Sequence, residues 1–388
     1  MMTPEEIGKV LAEARAAWSL DVDTLASRAC LDKAVVQAAE LGKAAASELA
    51  AIAGALGGTL DDVLARRRFW EAPAVAFKNR PSDDDVTLIR EALFRVGAAA
   101  RDRDLLVDIL NVPPPEFSGG VNLAPVQLLD DVVTQAEELA ATVRRALGNE
   151  LEPIASVRDV LRRVGVPAFL TDVGTQKVDG FMWRDENASA YAAANIRARG
   201  GKSTAIRMTL AHELCHALFD GTKLSPLGLI EHRSDHAEGL EQRANAFGVY
   251  FLAPRVAVGR FLKERGLRGP AKPTRQHVIA LSEHFGLGVK AIGWHLMSCG
   301  YWNNIDVANN LVTPRWAHWP LDEADVTLDV PVERQGDVLD FATVALERGL
   351  ISLARWRDFV GLSHFDPWEK VLQDRQVTRD VEHRVPPL

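Results

Sequence analysis

Apolar side chains recur at helical spacing through Ile7, Val10, Leu11, Ala14 and Trp18. Asp21 or Asp23 then caps a short helix holding Leu25 and Ala26, and a third helix is predicted from about Asp32 to Leu41, stopped by Gly42. Two more, at about Ser47–Leu56 and Leu60–Ala65, are split by Gly57-Gly58. Residues 67–150 read as helical again. They are interrupted at Asn111–Asn122 by Pro113, Pro114, Pro115 and Gly119-Gly120, and a long amphipathic helix is predicted beyond, at Val126–Leu147. Near Ile154 the period changes. A helix at Val157–Val164 leads into three strand-like runs, Val166–Thr171, Lys177–Trp183 and Ala188–Ala194, bounded by Gly, Asp and Asn. Helical patterns return at Thr204–Phe219, Leu240–Phe251, Arg255–Arg265, Arg275–Phe285 and Val289–Met297. After Pro314, Pro320 and Pro331 they recur at Gln335–Glu347 and Ser352–Val360. The expected class is α+β, predominantly α. Its parts are a helical domain at 1–68, a helical connecting region at 69–144, a domain with a small β-sheet at 145–300 and a helical C-terminal extension at 301–388.

Composition narrows the function classes. The 388 residues are 47% hydrophobic and 25% charged, the balance of a globular protein, and no apolar run is long enough for a membrane helix. The opening Met-Met-Thr-Pro-Glu-Glu has no basic or apolar leader pattern, and Cys30, Cys215 and Cys299 lie far apart, so a reducing cytoplasm is the expected address. A net charge of −8 argues against a nucleic-acid footprint spread over the whole surface but leaves room for one small DNA-reading module.

The chemistry lies in Thr209-Leu210-Ala211-His212-Glu213-Leu214-Cys215-His216-Ala217-Leu218-Phe219. Four-residue spacing puts both imidazoles on one helix face, one turn apart, where they can share a cation. Glu213, next to the first His, can take a proton from water that such a cation has acidified. Imidazole ligands in a tetrahedral site favour zinc over magnesium or calcium, with iron and manganese still open. No third His follows at the extended spacing, since Phe219 and Thr222 stand there. Glu241 on the next helical pattern can supply the third ligand, and Asn245, one turn on, can orient a liganding His. Glu231, His232, His236 and Glu238 are further candidates, each of which also reads as part of a solvated charged loop. Gly200-Gly201-Lys202-Ser203-Thr204 resembles the end of a phosphate loop, but Ile196 stands where that loop needs Gly, so no nucleotide site is expected.

The run Arg207-x-Thr209-Leu210-Ala211-His212-Glu213-Leu214-x-His216, then Glu241-x-x-Ala244-Asn245-Ala246-Phe247 and Phe251-Leu252-Ala253-Pro254, resembles the ImmA/IrrE family of bacterial metallopeptidases across roughly residues 145–300. The resemblance implies a thermolysin-like (gluzincin) zinc fold. It carries His212, His216 and Glu241 over as zinc ligands and Glu213 as catalytic base. Members of that family cleave helix-turn-helix repressors. Cys215 departs from the family's usual Gly; it reads either as a small buried residue or as a thiol able to sense oxidation. The transition-state stabiliser is open among Tyr191, Tyr250, His277 and His295.

Residues 1–68 resemble an Xre-type helix-turn-helix domain, through Ile7-Gly8, Leu20, Thr24-Leu25-Ala26, Glu40-Leu41-Gly42-Lys43 and Leu49 to Gly57. That resemblance makes Asp32–Leu41 the recognition helix and Arg28, Lys33, Gln37 and Lys43 the candidates for DNA contact. Residues 1–66 carry six basic against ten acidic side chains, which handicaps phosphate binding and keeps a protein-docking module in view. The expected activity is zinc-dependent cleavage of a partner protein, such as a helix-turn-helix repressor or the product of a neighbouring gene, in stress, phage-defence or toxin–antitoxin regulation. The competing expectation is a DNA-binding regulator or antitoxin with a structural or sensory zinc site. A homodimer is compatible with either, and no membrane partner is expected. Beyond Trp302, Trp316, Trp319, Trp356 and Trp368 suggest a packed extension, and His318, His364 and His383 are too scattered to form a site.

Overall fold

The computed structural model describes residues 2–17, 20–56, 60–64, 74–77, 83–113, 126–184, 189–220, 235–267, 271–304, 307–308, 310–311, 330–362, 366 and 368–374. Among the described residues the chain is mostly helical with one small sheet. Five short helices come first: α1 (Pro4–Ala17), α2 (Val22–Ala29), α3 (Lys33–Glu40), α4 (Ala46–Ala55) and α5 (Leu60–Leu64). They enclose a core of their own around Leu11, Leu25, Val36, Ile52 and Leu56. Asp21 caps α2 by accepting from the Thr24 amide, and Cys30 ends it in a left-handed conformation, φ 53°, which turns the chain sharply into α3.

Strand β1 (Ala74–Phe77) follows, then the long α6 (Asp83–Leu110), α7 (Val132–Ala146), α8 (Val157–Arg163) and strands β2 (Ala168–Thr171), β3 (Gly180–Arg184) and β4 (Ala190–Asn195). The sheet order is β1-β3-β4-β2, with β3 antiparallel to both neighbours and β2 parallel to β4. Short runs bounded by Gly, Asp and Asn predict the last three strands, whereas β1, a four-residue edge strand held by its pairing with β3, corrects the helical reading of residues 67–150. Helix α7 starts later than its hydrophobic pattern, at the cap where Asp131 accepts from the Thr134 amide.

Side-chain alternation gives the sheet two different faces. Ala168, Leu170, Ala190, Ala192 and Ala194 face one core, shared with α7, α8 and the next two helices, α9 (Ser203–Phe219) and α10 (Asp235–Leu252). Phe169, Phe181, Trp183, Tyr191 and Ala193 face a second core. The alanines on the first face leave room for a helix to lie close. Gly180 takes this furthest: a Cβ there would sit 2.4 Å from Thr209 Cγ2 and 2.5 Å from the Ala193 carbonyl oxygen. Only Gly lets β3 and α9 meet at this point.

Helices α11 (Arg255–Glu264), α12 (Arg275–Phe285) and α13 (Val289–Ser298) complete the first core. The second core is closed by α6 together with α14 (Asp337–Glu347), α15 (Leu353–Val360) and α16 (Trp368–Asp374). Buried Glu333 ties this layer down, accepting from Arg95 Nε of α6 at 2.7 Å and from Thr171 Oγ1 of β2 at 2.8 Å. The connecting region and the C-terminal extension therefore share cores with the sheet. Among the described residues no helix is long and apolar enough to cross a membrane.

Candidate metal centre

Helix α9 runs along the alanine face of the sheet and is buried along most of its length, including His212, Glu213 and His216. Polar side chains in such a place need partners, since burying them alone is costly. Helix α10 supplies one for the two imidazoles. It runs antiparallel to α9: Gly248 packs on Met208 and the His212 amide, while Glu241 lies opposite His212 and His216. A Cβ on Gly248 would come within 2.9 Å of Met208 Cε, the movable end of a flexible side chain, and 3.4 Å from the His212 amide nitrogen, so the two helices run close here.

The two imidazoles stand edge to face with centroids 4.6 Å apart, and their Nε2 atoms are 2.9 Å from each other. Nε2 of His212 lies 3.3 Å from Glu241 Oε2, and Nε2 of His216 lies 3.3 Å from Glu241 Oε1. All three groups thus present ligand atoms within 4.8 Å of one another. Ligand atoms about 2.0–2.1 Å from a tetrahedral zinc are separated by about 3.3 Å, so two nitrogens and a carboxylate at these spacings fit that ion.

The sequence reading missed what stands behind His216. Its Nδ1 donates to Asp220, four residues on and at the end of α9, and Asp220 accepts in turn from Arg243 of α10. Asp220 and Arg243 are fully buried. The signal was present, since a carboxylate at the spacing of one helical turn shares the face of His216, but it lies outside the H-E-x-x-H pattern. Asn245 is half-buried on α10, one turn beyond Glu241.

This setting controls protonation. Burial would lower the His216 imidazole, but the hydrogen bonds and charges of Asp220 and Glu241 outweigh it and push the group up to about 10. Burial would likewise raise Glu241, but the two imidazoles bring it down to about 2. Cys215 is wholly buried in this core, and burial pushes its thiol well up, which fits an inert packing residue.

Glu213 is buried beside His212. Glu231 and His232 lie outside the described residues, as do the side chains of His236 and Glu238. None of the four stabiliser candidates makes a described contact with the ligand trio. Tyr191 is on the opposite face of the sheet, its hydroxyl donating to Asp104 at 2.6 Å. Tyr250 lies near the far end of α10, where Arg255 donates to its hydroxyl at 3.1 Å. His277 belongs to the cap of α12, with the Thr274 amide donating to its Nδ1, and buried His295 donates to the Ala253 carbonyl at 2.6 Å. In the N-terminal domain Arg28, Lys33, Gln37 and Lys43 are all exposed. Arg28 pairs with Glu91 of α6 and Lys33 with Asp23, each at 2.7 Å. His318, His364, His383, Trp316 and Trp319 lie outside the described residues.

No curated protein matches the chain. Residues 162–294, which hold α9 and α10, match the family model of the IrrE N-terminal-like domain, Peptidase_M78, and this match supports a metallopeptidase-type function related to the ImmA/IrrE family.

Proposed function

We propose that the chain is a zinc-dependent endopeptidase that cuts a partner protein, with His212, His216 and Glu241 as ligands and Glu213 as catalytic base. The observation that carries this reading is the convergence of two Nε2 atoms and one carboxylate between α9 and α10. Zinc held there by His212, His216 and Glu241 would supply an acidified water and Lewis-acid polarisation of a peptide carbonyl. Glu213 accepts the proton of the attacking water and delivers it to the leaving amine. A purely structural site would have no use for a buried Glu213, which favours catalysis over a sensory role.

The substrate class we propose is a helix-turn-helix repressor or another neighbouring-gene product, in bacterial stress, phage-defence or toxin–antitoxin control. The test compares the wild type with Glu213→Gln, zinc content checked in both, each incubated with the neighbouring-gene products. The wild type is expected to cut one of them and the variant to leave all intact at equal zinc content. Equal behaviour of the two proteins would remove the assignment of Glu213.

One observation favours DNA contact through the N-terminal domain: α2 and α3 are joined by three residues, with Lys33, Gln37 and Lys43 exposed on or just after α3. The exposed Lys33–Asp23 pair holds its partners weakly, so a phosphate can compete for the lysine. A mobility shift that weakens in Lys33→Ala and Gln37→Ala is the expected result. A shift indifferent to both would remove α3 as the reading helix.

A further inference from the structure

Asp220 occupies a costly position. It ends α9, where the helix dipole disfavours an anion, and it is fully buried. Its two oxygens have separate partners, His216 Nδ1 on one and Arg243 on the other. Arg243 extends the chain of contacts to the Val126 carbonyl at 3.3 Å and to Gln135 Oε1 at 3.4 Å. Gln135 in turn donates to the Gln127 carbonyl, and the Val126 amide donates to the Phe219 carbonyl at the end of α9. The hydrogen-bonded line thus starts at His216 and ends on the segment leading into α7, outside the 162–294 match.

We infer that Asp220 and Arg243 are positioning residues for the metal. Asp220 fixes the proton of His216 on Nδ1 and turns Nε2 toward His212 and Glu241, and Arg243 holds that carboxylate in its one useful orientation. This rests on the zinc reading above. An imidazole whose far nitrogen is bound to a carboxylate is a stronger and better-aimed ligand than a free one, and loss of such a partner costs about ten- to a hundredfold in metal affinity. A mere staple between helices would instead contribute to stability alone.

The experiment uses the full chain and zinc itself. Zinc affinity is read by competition with a chromophoric chelator in the wild type, in Asp220→Asn and in the double variant Asp220→Asn/Arg243→Met. Thermal melts of the metal-free proteins run beside it. The double variant removes both buried charges together, so it stays foldable where Asp220→Asn strands the arginine. The expected result is zinc binding weaker by about ten- to a hundredfold in either folded variant, whatever the change in melting temperature. Nuclear magnetic resonance of the zinc-loaded wild type needs no variant: one imidazole N–H is expected far downfield and protected from exchange. Unchanged zinc affinity in a folded variant, or no such proton in the wild type, overturns the inference while leaving the metal centre standing. A wild type that takes up no zinc overturns both.

Discussion

A proton and a metal ion compete for the same edge of His216. Without metal, the carboxylates of Asp220 and Glu241 flank the imidazole and keep it charged up to about pH 10. A metal on Nε2 must displace one proton across the whole range below that, so zinc affinity is expected to rise about tenfold for each pH unit. Chelator competition over a pH series reads the slope, and a flat profile would rule out His216 as a ligand. His295 carries the opposite shift. Burial pushes it down to about 4 from 6.5, so the folded protein holds it neutral. Its stabilising effect is complete above the unfolded value and is lost as pH falls from 6.5 toward 4, at a cost of about 3 kcal/mol. The difference between wild-type and His295→Gln melting curves against pH isolates that loss, with the wild type expected to fall more steeply in acid. At this scale the two His, Glu213 and their shared helix face were legible because one local spacing encodes them. Asp220 and Arg243 were not, because their role depends on which side of each helix is buried.

One glycine sets how closely helix and sheet meet at the centre: Gly180 lets Thr209, three residues before His212, rest against the sheet. A methyl at 180 would collide with the Ala193 carbonyl, which cannot swing aside as a side chain can. Gly180→Ala is therefore expected to destabilise the protein by about 1–3 kcal/mol and to weaken zinc binding as α9 is pushed off the sheet. A urea midpoint and a zinc titration on the same preparation check both effects; an unchanged midpoint would mean that α9 tolerates the displacement. The elements themselves were largely readable, since α9 to α13 read as helical runs and β2 to β4 as short apolar runs bounded by Gly, Asp and Asn. What periodicity left open was the choice of Glu241 among several nearby acidic and His residues. That choice belongs to the antiparallel crossing of α9 and α10, and no local pattern states a crossing. Strand β1 escaped for a related reason: four residues at a sheet edge are recognised by their pairing with β3 more than by their own pattern.

The described residues form three cores, two of which share the sheet. Prolines and glycines near 111–122 mark a break, yet the helices on either side serve opposite faces of one sheet, α6 on the aromatic face and α7 on the alanine face. Arg144 of α7 shows how tightly the second is joined: buried, it donates to the Phe251 carbonyl at 2.6 Å, at the end of the helix that carries Glu241. A fragment cut at 145–300 loses β1, α6, nearly all of α7 and all of α14 to α16, leaving Phe169, Phe181, Trp183 and Tyr191 uncovered on the remaining strands β2 to β4. Exposed apolar area of that kind favours aggregation over folding. The N-terminal domain differs, because its core around Leu11, Leu25 and Val36 is closed within α1 to α5, and the exposed Arg28–Glu91 pair contributes little to the rest. Removing residues 1–66 is therefore expected to leave a soluble protein with wild-type zinc affinity and a cooperative melt, while the 145–300 fragment is expected to show neither. Should the short fragment instead load zinc and melt cooperatively, the sheet would not need its aromatic face covered, and α14 to α16 would be free to serve as a detachable arm.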